Sequence, residues 1–306
     1  MRTILAAAVS LALIGLAGCT PTYSFQDGRE ASTLTGGALM RIEPDASKMS
    51  KLEQDLAAAK VAWERTPTEA TAIALGRAYS SLGRFKEGIA AFGDGLAAFP
   101  DSHRLRRHRG HRYITVREFR ESSRDYNKAW DLVRDKPDTL ESADGSSTDK
   151  SAILYHWGLL EYLRGQFDWA DDVFSKRTLL TTLKDENVVS AASWHYWALR
   201  RLGRDADAAK VIEPIREGMD VKENKSYYTL CRLYRGLISA AEVEKQMTGD
   251  DGKLNVGLAY GLACWKRFEL KDEAGGRALL KRIIATGNWP AFGFIAAEAD
   301  LARWPG

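Results

Sequence analysis

The chain has 306 residues, enough for one large domain or two ordinary ones, and its 45% hydrophobic content is sufficient to bury a core. Its formal net charge is only +3, so no overall excess of positive charge would attract a polyanion. We therefore expect a globular protein in which any strongly charged surface is local.

The first nineteen residues, MRTILAAAVSLALIGLAGC, are typical of an export signal. Arg2 precedes an uncharged run from Ile4 to Leu16 that is too short to span a bilayer as a stable helix. The end of this segment, LAGC, resembles the lipobox of bacterial lipoproteins. The resemblance implies a signal peptide over residues 1–18 and acylation of Cys19. Because Thr20 stands where an inner-membrane retention signal would have Asp, it also implies an outer-membrane anchor facing the periplasm.

A change in composition separates the leader from the main helical region. Residues 19–46 are rich in Thr, Ser, Gly and Pro and show no helical period, which predicts a flexible tether. Helical periodicity begins with Ser47 as a helix cap and ends before Pro67. We therefore assign residues 47–306 to a single helical domain.

The helical region contains a repeat of 34 residues. Four positions of the first copy recur in the second: Gly76, Tyr79, Phe85 and Phe92 become Gly110, Tyr113, Phe119 and Tyr126. The period and residue types resemble those of the tetratricopeptide repeat (TPR) family. In that family a small residue lets two antiparallel helices approach closely, and aromatic residues fill the space between them.

Further copies extend the resemblance over residues 69–303. A third copy carries Gly158, Phe167 and Phe174 after a polar insertion at 135–150 that we predict to be a surface loop. A fourth has Gly203 at its turn and Ala208 on its second helix, and two degenerate copies follow. These patterns predict an all-α, TPR-like α-solenoid of about five to six helical hairpins with a C-terminal capping helix.

The most unusual stretch is HRLRRHRGHRYITVREFR, residues 103–120, with seven arginines and three histidines. It coincides with the first helix of the second repeat, which must bury one side, and it offers no platform of aromatic residues for stacking bases. We therefore do not expect nucleic-acid binding. A metal site is also not expected, because no Asp, Glu or Cys lies among the histidines and the surrounding arginines repel cations.

Two interpretations of this charged helix stay open. Arg104, Arg107 and His111 are spaced three and four apart and share one face. The TPR resemblance implies that first helices line a concave groove, with Arg77, Tyr155 and Tyr162 as neighbours in a peptide-binding site. Such a surface suits an acidic or carboxylate-terminated peptide. The alternative is a solvated face that only keeps the solenoid soluble.

Other conspicuous residues favour structural roles. Tryptophans at helical spacing are predicted to be core residues: Trp157, Trp169, Trp194, Trp197, Trp265 and Trp289. Cys231 and Cys264, nearly one repeat apart, are predicted to be buried thiols rather than a disulfide. We find no catalytic motif, and so we predict neither an enzyme nor a bound cofactor.

The leader, tether and repeats together resemble the NlpI-type TPR lipoproteins. This resemblance implies a lipid-anchored adaptor of the cell envelope that binds protein partners such as peptidoglycan hydrolases or an envelope protease, and it is compatible with a homodimer. The alternative function is an envelope glycan-binding protein or hydrolase, with Trp and Arg forming a saccharide groove. Tryptophans exposed along the concave face would favour the glycan, and buried ones the adaptor.

Overall fold

The computed structural model describes residues 28–141, 147–180 and 184–303. The predicted signal peptide and Cys19 lie outside these ranges. The described elements, in chain order, are β1 (Arg29–Ser32), β2 (Ala38–Met40), α1 (Ala46–Arg65), α2 (Glu69–Ser81), α3 (Phe85–Ala98), α4 (His103–Thr115), α5 (Phe119–Val133), α6 (Asp149–Arg164), α7 (Phe167–Thr178), α8 (Asp185–Arg201), α9 (Asp205–Ile212), α10 (Lys225–Tyr234), α11 (Ala240–Gln246), α12 (Val256–Phe268), α13 (Glu273–Ala285) and α14 (Phe292–Arg303).

The helices from α2 to α13 form six consecutive antiparallel hairpins, and α14 follows them. Within each hairpin the two helices pack against each other, and successive hairpins stack in order. The predicted all-α, TPR-like solenoid is therefore confirmed for the described residues, with one addition, the short β-hairpin of β1 and β2.

The predicted repeat register is confirmed by the packing of three glycines. A Cβ atom placed on Gly76 would lie 2.3 Å from the ring of Phe92, and one on Gly158 would lie 2.7 Å from the ring of Phe174. At Gly110 the corresponding distance to Tyr126 is 3.0 Å. A side chain at these positions would push the two helices of each hairpin apart, which explains the glycine in each of these three copies.

The C-terminal half closes into a ring. The first helices α6, α8, α10 and α12 pack side by side, and α14 contacts both α12 and α6. Aromatic side chains fill the centre, where the hydroxyl oxygens of Tyr162 and Tyr260 lie 2.7 Å apart. The ion pair between Arg201 and Asp300 joins α8 to α14 in this core, and Tyr260 donates a second hydrogen bond to Asp300 at 2.9 Å.

The segment predicted as a tether is folded where the structure describes it. Strands β1 and β2 pair antiparallel. The carboxylate of Glu30 accepts a hydrogen bond from the backbone N–H of Lys86 at 3.0 Å, and Trp289 Nε1 donates to the carbonyl oxygen of Met40 at 2.8 Å. The tether prediction is wrong for residues 28–45, because these long-range contacts attach the hairpin to α3 and to the loop before α14.

Most predicted core residues are buried, with one clear exception. Trp157, Trp194, Trp197 and Trp289 are at most 6% exposed, and Trp265 is half-buried. Trp169 is 58% exposed on α7, so its assignment to the core was wrong. Both described cysteines, at positions 231 and 264, are buried free thiols, as predicted.

None of the helices in the described ranges combines the length and the apolar character that crossing a bilayer requires.

Candidate functional site: a basic groove between α2 and α4

A groove of about 1030 Å³ lies between the first helices of the first two repeats. Four arginines line it: Arg77 from α2, and Arg104, Arg107 and Arg112 from α4. Glu69 and Glu141 also line it, as do the rings of Phe92, His108 and His111. Four predicted site residues, Arg77, Arg104, Arg107 and His111, therefore come together in one concave surface.

The side chain of Ser102 starts the helix that carries most of these cations. Its hydroxyl oxygen accepts a hydrogen bond from the backbone N–H of Leu105 at 2.9 Å and so caps α4. Leu105, Tyr113 and Ile114 bury the opposite side of α4. Because one face of α4 is fixed in the core, its basic residues lie on the remaining sides. Arg104, Arg107 and Arg112 line the groove, whereas Arg109 pairs with Asp125 on α5.

Arg104 is already paired with a carboxylate of the chain itself. Its Nε and Nη2 donate to the two oxygens of Asp149 at 2.9 and 3.0 Å, and Nη2 also donates to the carbonyl oxygen of Leu140 at 2.8 Å. The hydrogen bond to Asp149 raises the pKa of Arg104. Burial alone raises the pKa of Asp149, but hydrogen bonds from His103, Arg104 and Thr139 lower it overall. The predicted ligand-binding role of Arg104 is therefore not supported, since its guanidinium joins α4 to the start of α6.

Arg107 is also paired, with Glu141 of the polar insertion, and both side chains are largely buried, at 11% and 15% exposed. Burial, followed by repulsion from Arg77 and Arg112, lowers the pKa of Arg107 to about 10, so it stays charged at neutral pH. The insertion that was predicted to be only a surface loop thus contributes an acid to the groove.

Arg77 and Arg112 differ from the other two arginines. Within the described residues, neither has a carboxylate within ion-pair distance. Arg77 is exposed, whereas Arg112 is half-buried, lies over the ring of Phe85 and donates to His111 Nε2 at 2.6 Å. Burial lowers the pKa of Arg112 to about 10, which still leaves it positively charged at pH 7. These two guanidinium groups give the groove its uncompensated charge.

The histidines supply neutral rings to the groove floor. The ring of His108 stacks on Phe92 with centroids 5.7 Å apart, and that of His111 lies 4.6 Å from His156. Burial and the neighbouring arginines lower the pKa of both His108 and His111. Since Arg112 can only donate hydrogen bonds, Nε2 of His111 must accept, which also requires a neutral ring. In the described ranges no group of three potential metal ligands is arranged to hold an ion.

The two tyrosines predicted to lie in this groove do not line it. Tyr162 is fully buried in the centre of the C-terminal ring, and Tyr155 is half-buried between His156 and the guanidinium of Arg177. The physical reason is that later helices cover this face of α6. The rings of Trp194 and Tyr260, from α8 and α12, pack against Tyr162, and Tyr227 of α10 lies beside Tyr155. The face of α6 that would line a groove in an open solenoid is therefore core, and the predictions for Tyr155 and Tyr162 were wrong.

Sequence reasoning missed Arg112, His108 and Glu141 as groove residues. His108 is four residues after Arg104, and Arg112 is four after His108, so helical spacing already placed both near the predicted face. Glu141 lies 34 residues after Arg107 in an irregular insertion, and no local pattern indicates its position.

No protein-family model matches the chain, and no curated protein is significantly similar to it. Among solved structures, the chain is similar to a tetratricopeptide repeat protein from Parabacteroides merdae. The TM-score is 0.51 and the sequence identity 15%, over 83% of this chain and 94% of that chain. At this identity the likeness concerns the fold alone, and it agrees with the helical hairpins and glycine–aromatic packing described above. The protein is thus a TPR-like α-solenoid.

Proposed function

We propose that this protein is an adaptor that binds an acidic segment of a partner protein in the groove between α2 and α4. The observation that carries the proposal is the pair Arg77 and Arg112, two cations that have no carboxylate partner among the described residues. Guanidinium groups form two parallel hydrogen bonds with a carboxylate, and such charge-assisted bonds are stronger than neutral ones. A partner carboxylate would neutralise charge that the groove leaves uncompensated.

The position of Arg112 argues against the interpretation as a solvated face. Arg112 is half-buried against Phe85 and His111, and burial lowers its pKa to about 10. Charges that serve only solubility lie in full contact with water, because burying a cation without a partner is unfavourable. A buried, positively charged groove is more consistent with a binding site for anions.

The alternative of a saccharide groove receives less support. Of the six tryptophans predicted as core residues, four are buried, and the exposed Trp169 lies on α7 and not in the groove. A row of exposed tryptophans along the concave face was the feature expected for a glycan site. The tryptophan positions therefore favour the adaptor.

The proposed location follows from the sequence. A lipobox-like LAGC ending at Cys19 supports a lipid anchor in the cell envelope, with Thr20 favouring the outer membrane and a periplasmic orientation. Peptidoglycan hydrolases or an envelope protease, as implied by the resemblance to NlpI-type lipoproteins, are proposed partners. A homodimer is compatible with this function.

Replacing Arg77 tests the proposal, because this residue is exposed and its substitution leaves the core intact. The probe is a fluorescent hexaglutamate peptide with an amidated C-terminus, titrated against the full chain in detergent. We expect Arg77→Glu to weaken binding by about tenfold or more, a free-energy change of about 1.4 kcal/mol.

The matched control is Arg120→Glu, an identical change of charge at an exposed position of α5. We expect this control to bind the peptide within about twofold of the wild type, since Arg120 does not line the groove and charges exposed to water are screened by salt. Equal affinities of wild type, Arg77→Glu and Arg120→Glu would contradict the proposal, as would tighter binding of hexalysine than of hexaglutamate.

A further inference from the structure

The polar insertion between α5 and α6 holds one acid in the groove. Leu140 and Thr148 form an antiparallel bridge, the N–H of Glu141 donates to the carbonyl oxygen of Ser147 at 2.9 Å, and the hydroxyl of Thr148 caps α6. Arg104 also donates a hydrogen bond to the backbone carbonyl oxygen of Leu140. The described ends of the insertion are therefore tied to each other and to α4, and this arrangement directs the carboxylate of Glu141 to Arg107.

Arg107 needs an anion because of its surroundings. It is 11% exposed, and both Arg77 and Arg112 are close enough to lower its pKa. Without Glu141 its guanidinium would be a largely buried cation facing two others, an arrangement that costs free energy. An incoming acidic ligand could supply this anion equally well, since any carboxylate offers the same two oxygens.

We propose that Glu141 is a tethered competitor and that the partner presents at least two acidic groups to the groove. One group contacts Arg77 and Arg112, and a second replaces Glu141 on Arg107. This inference rests on the function proposed above and adds to it a ligand class, an acidic segment with two or more carboxylates. It also adds a selection mechanism, because a ligand with one carboxylate has no second group with which to replace Glu141.

The covalent attachment of Glu141 to the chain makes this competition effective. A carboxylate attached to the chain by a short segment acts at a high local concentration, in the millimolar range for short linkers. A partner carboxylate can replace Glu141 only if its local concentration near Arg107 is similarly high. A first contact of the same partner with Arg77 and Arg112 would provide that concentration. Removing the charge of Glu141 should therefore help ligands with two carboxylates more than ligands with one.

The experiment compares two amidated peptide probes on the full chain in detergent. One probe is hexaglutamate, and the other is a hexapeptide with one Glu among glycines, observed by ligand-detected NMR. We expect Glu141→Gln to increase the affinity for hexaglutamate by about fivefold and the affinity for the single-Glu peptide by less than about twofold. Glu141→Asp, which keeps the charge, should stay close to the wild type.

Glu69→Gln is the matched control, because Glu69 also lines the groove but is not paired with Arg107. A gain for hexaglutamate that is equal in Glu69→Gln and Glu141→Gln would show a general charge effect and overturn the inference. An unchanged affinity in Glu141→Gln would also overturn it while leaving the proposed adaptor function in place. If hexaglutamate binds neither the wild type nor Glu141→Gln, both the inference and the proposed function are wrong.

Discussion

Helices α4 and α6 hold the same position in successive repeats, yet one lines an open groove and the other lies inside a closed core. In α4 the buried residues are confined to one side, and the remaining positions are mostly Arg and His. In α6 most residues from Ser151 to Leu163 are buried, and the apolar and aromatic side chains extend around the helix. The two helices use the same contact with their own second helices, through Gly110 and Gly158.

The difference between α4 and α6 arises because the C-terminal helix packs back against α6. Helix α14 contacts α6, and Arg303 donates to the carbonyl oxygen of Leu163 at 2.7 Å. No such helix covers α4 in the described part of the chain; only Phe292, at the start of α14, reaches the ring of His111. Repeat geometry therefore determines how helices pair, whereas the covering of the concave side determines whether a site remains.

The largest effect on stability is expected from breaking the ion pair between Arg201 and Asp300 in the closed ring. Replacing Asp300, which is 1% exposed, with Asn removes the carboxylate charge that faces the largely buried guanidinium of Arg201. We expect Asp300→Asn to reduce the free energy of unfolding by about 3 to 5 kcal/mol, measured by urea denaturation.

The control for this prediction is Asp131→Asn, which removes an exposed carboxylate of α5 that is paired with exposed Arg134, the residue after this helix. Surface pairs of this kind contribute about 0 to 1 kcal/mol, so this variant should unfold close to the wild type. A loss of less than about 1 kcal/mol in Asp300→Asn would show that α14 is not held in the ring by this pair.

A smaller effect is expected at the helix contact that both regions share. Gly110→Leu would place a branched side chain against Tyr126, whose ring lies only 3.0 Å from the point that the new Cβ atom would occupy. We expect destabilisation by about 1 to 3 kcal/mol from overpacking, seen as a lower melting temperature.

At Gly93 we expect a substitution to have the opposite effect on stability. It lies within α3, and a Cβ atom there would meet only Arg109 at an ordinary distance of 3.8 Å. Gly93→Ala should therefore stabilise the protein by about 0.5 to 1 kcal/mol, because alanine favours the helix and restricts the unfolded chain. Unchanged melting of Gly110→Leu, or destabilisation by Gly93→Ala, would contradict the helix register.

The repeats could be predicted from the sequence because their signals are local. The glycine and the aromatic residue that contacts it recur with a fixed period, and their packing depends on two adjacent helices. The face shared by Arg104, Arg107 and His111 followed from helical spacing alone, and all three residues do line the groove.

Features that depend on distant residues could not be predicted in this way. The β-hairpin has few residues in each strand, and its Thr- and Gly-rich turn has the composition of a linker. Only the hydrogen bonds from the distant residues Lys86 and Trp289 show that this segment is folded. Tyr162 was misplaced because the rings that bury it include Trp194 of α8 and Tyr260 of α12, the latter 98 residues later in the chain. The pairing of Arg104 with Asp149 likewise depends on how the insertion folds back.

His156 lies at the boundary between the open groove and the closed ring, and its titration tests how closely that boundary is packed. Its ring lies 4.6 Å from that of His111 on α4 and 6.2 Å from that of Phe292 on α14. Burial, followed by repulsion from Arg107, lowers the pKa of His156 to about 3. The unfolded chain, with a histidine pKa of about 6.5, therefore binds more protons in mildly acidic solution, and stability must fall as the pH falls below that value.

For this one residue we expect a loss of about 1.4 kcal/mol between about pH 7.5 and about pH 5.5, and His156→Gln should remove that share of the pH dependence. The pKa values of His108 and His111 are also lowered. These two residues should therefore add the same pH dependence to the free energy of unfolding of the wild type and of the variant. Urea denaturation of wild type and variant at the two pH values measures the difference. If the two proteins lose equal stability, His156 is protonated in the folded state, and the boundary between groove and ring is more open to water than its packing against His111 and Phe292 indicates.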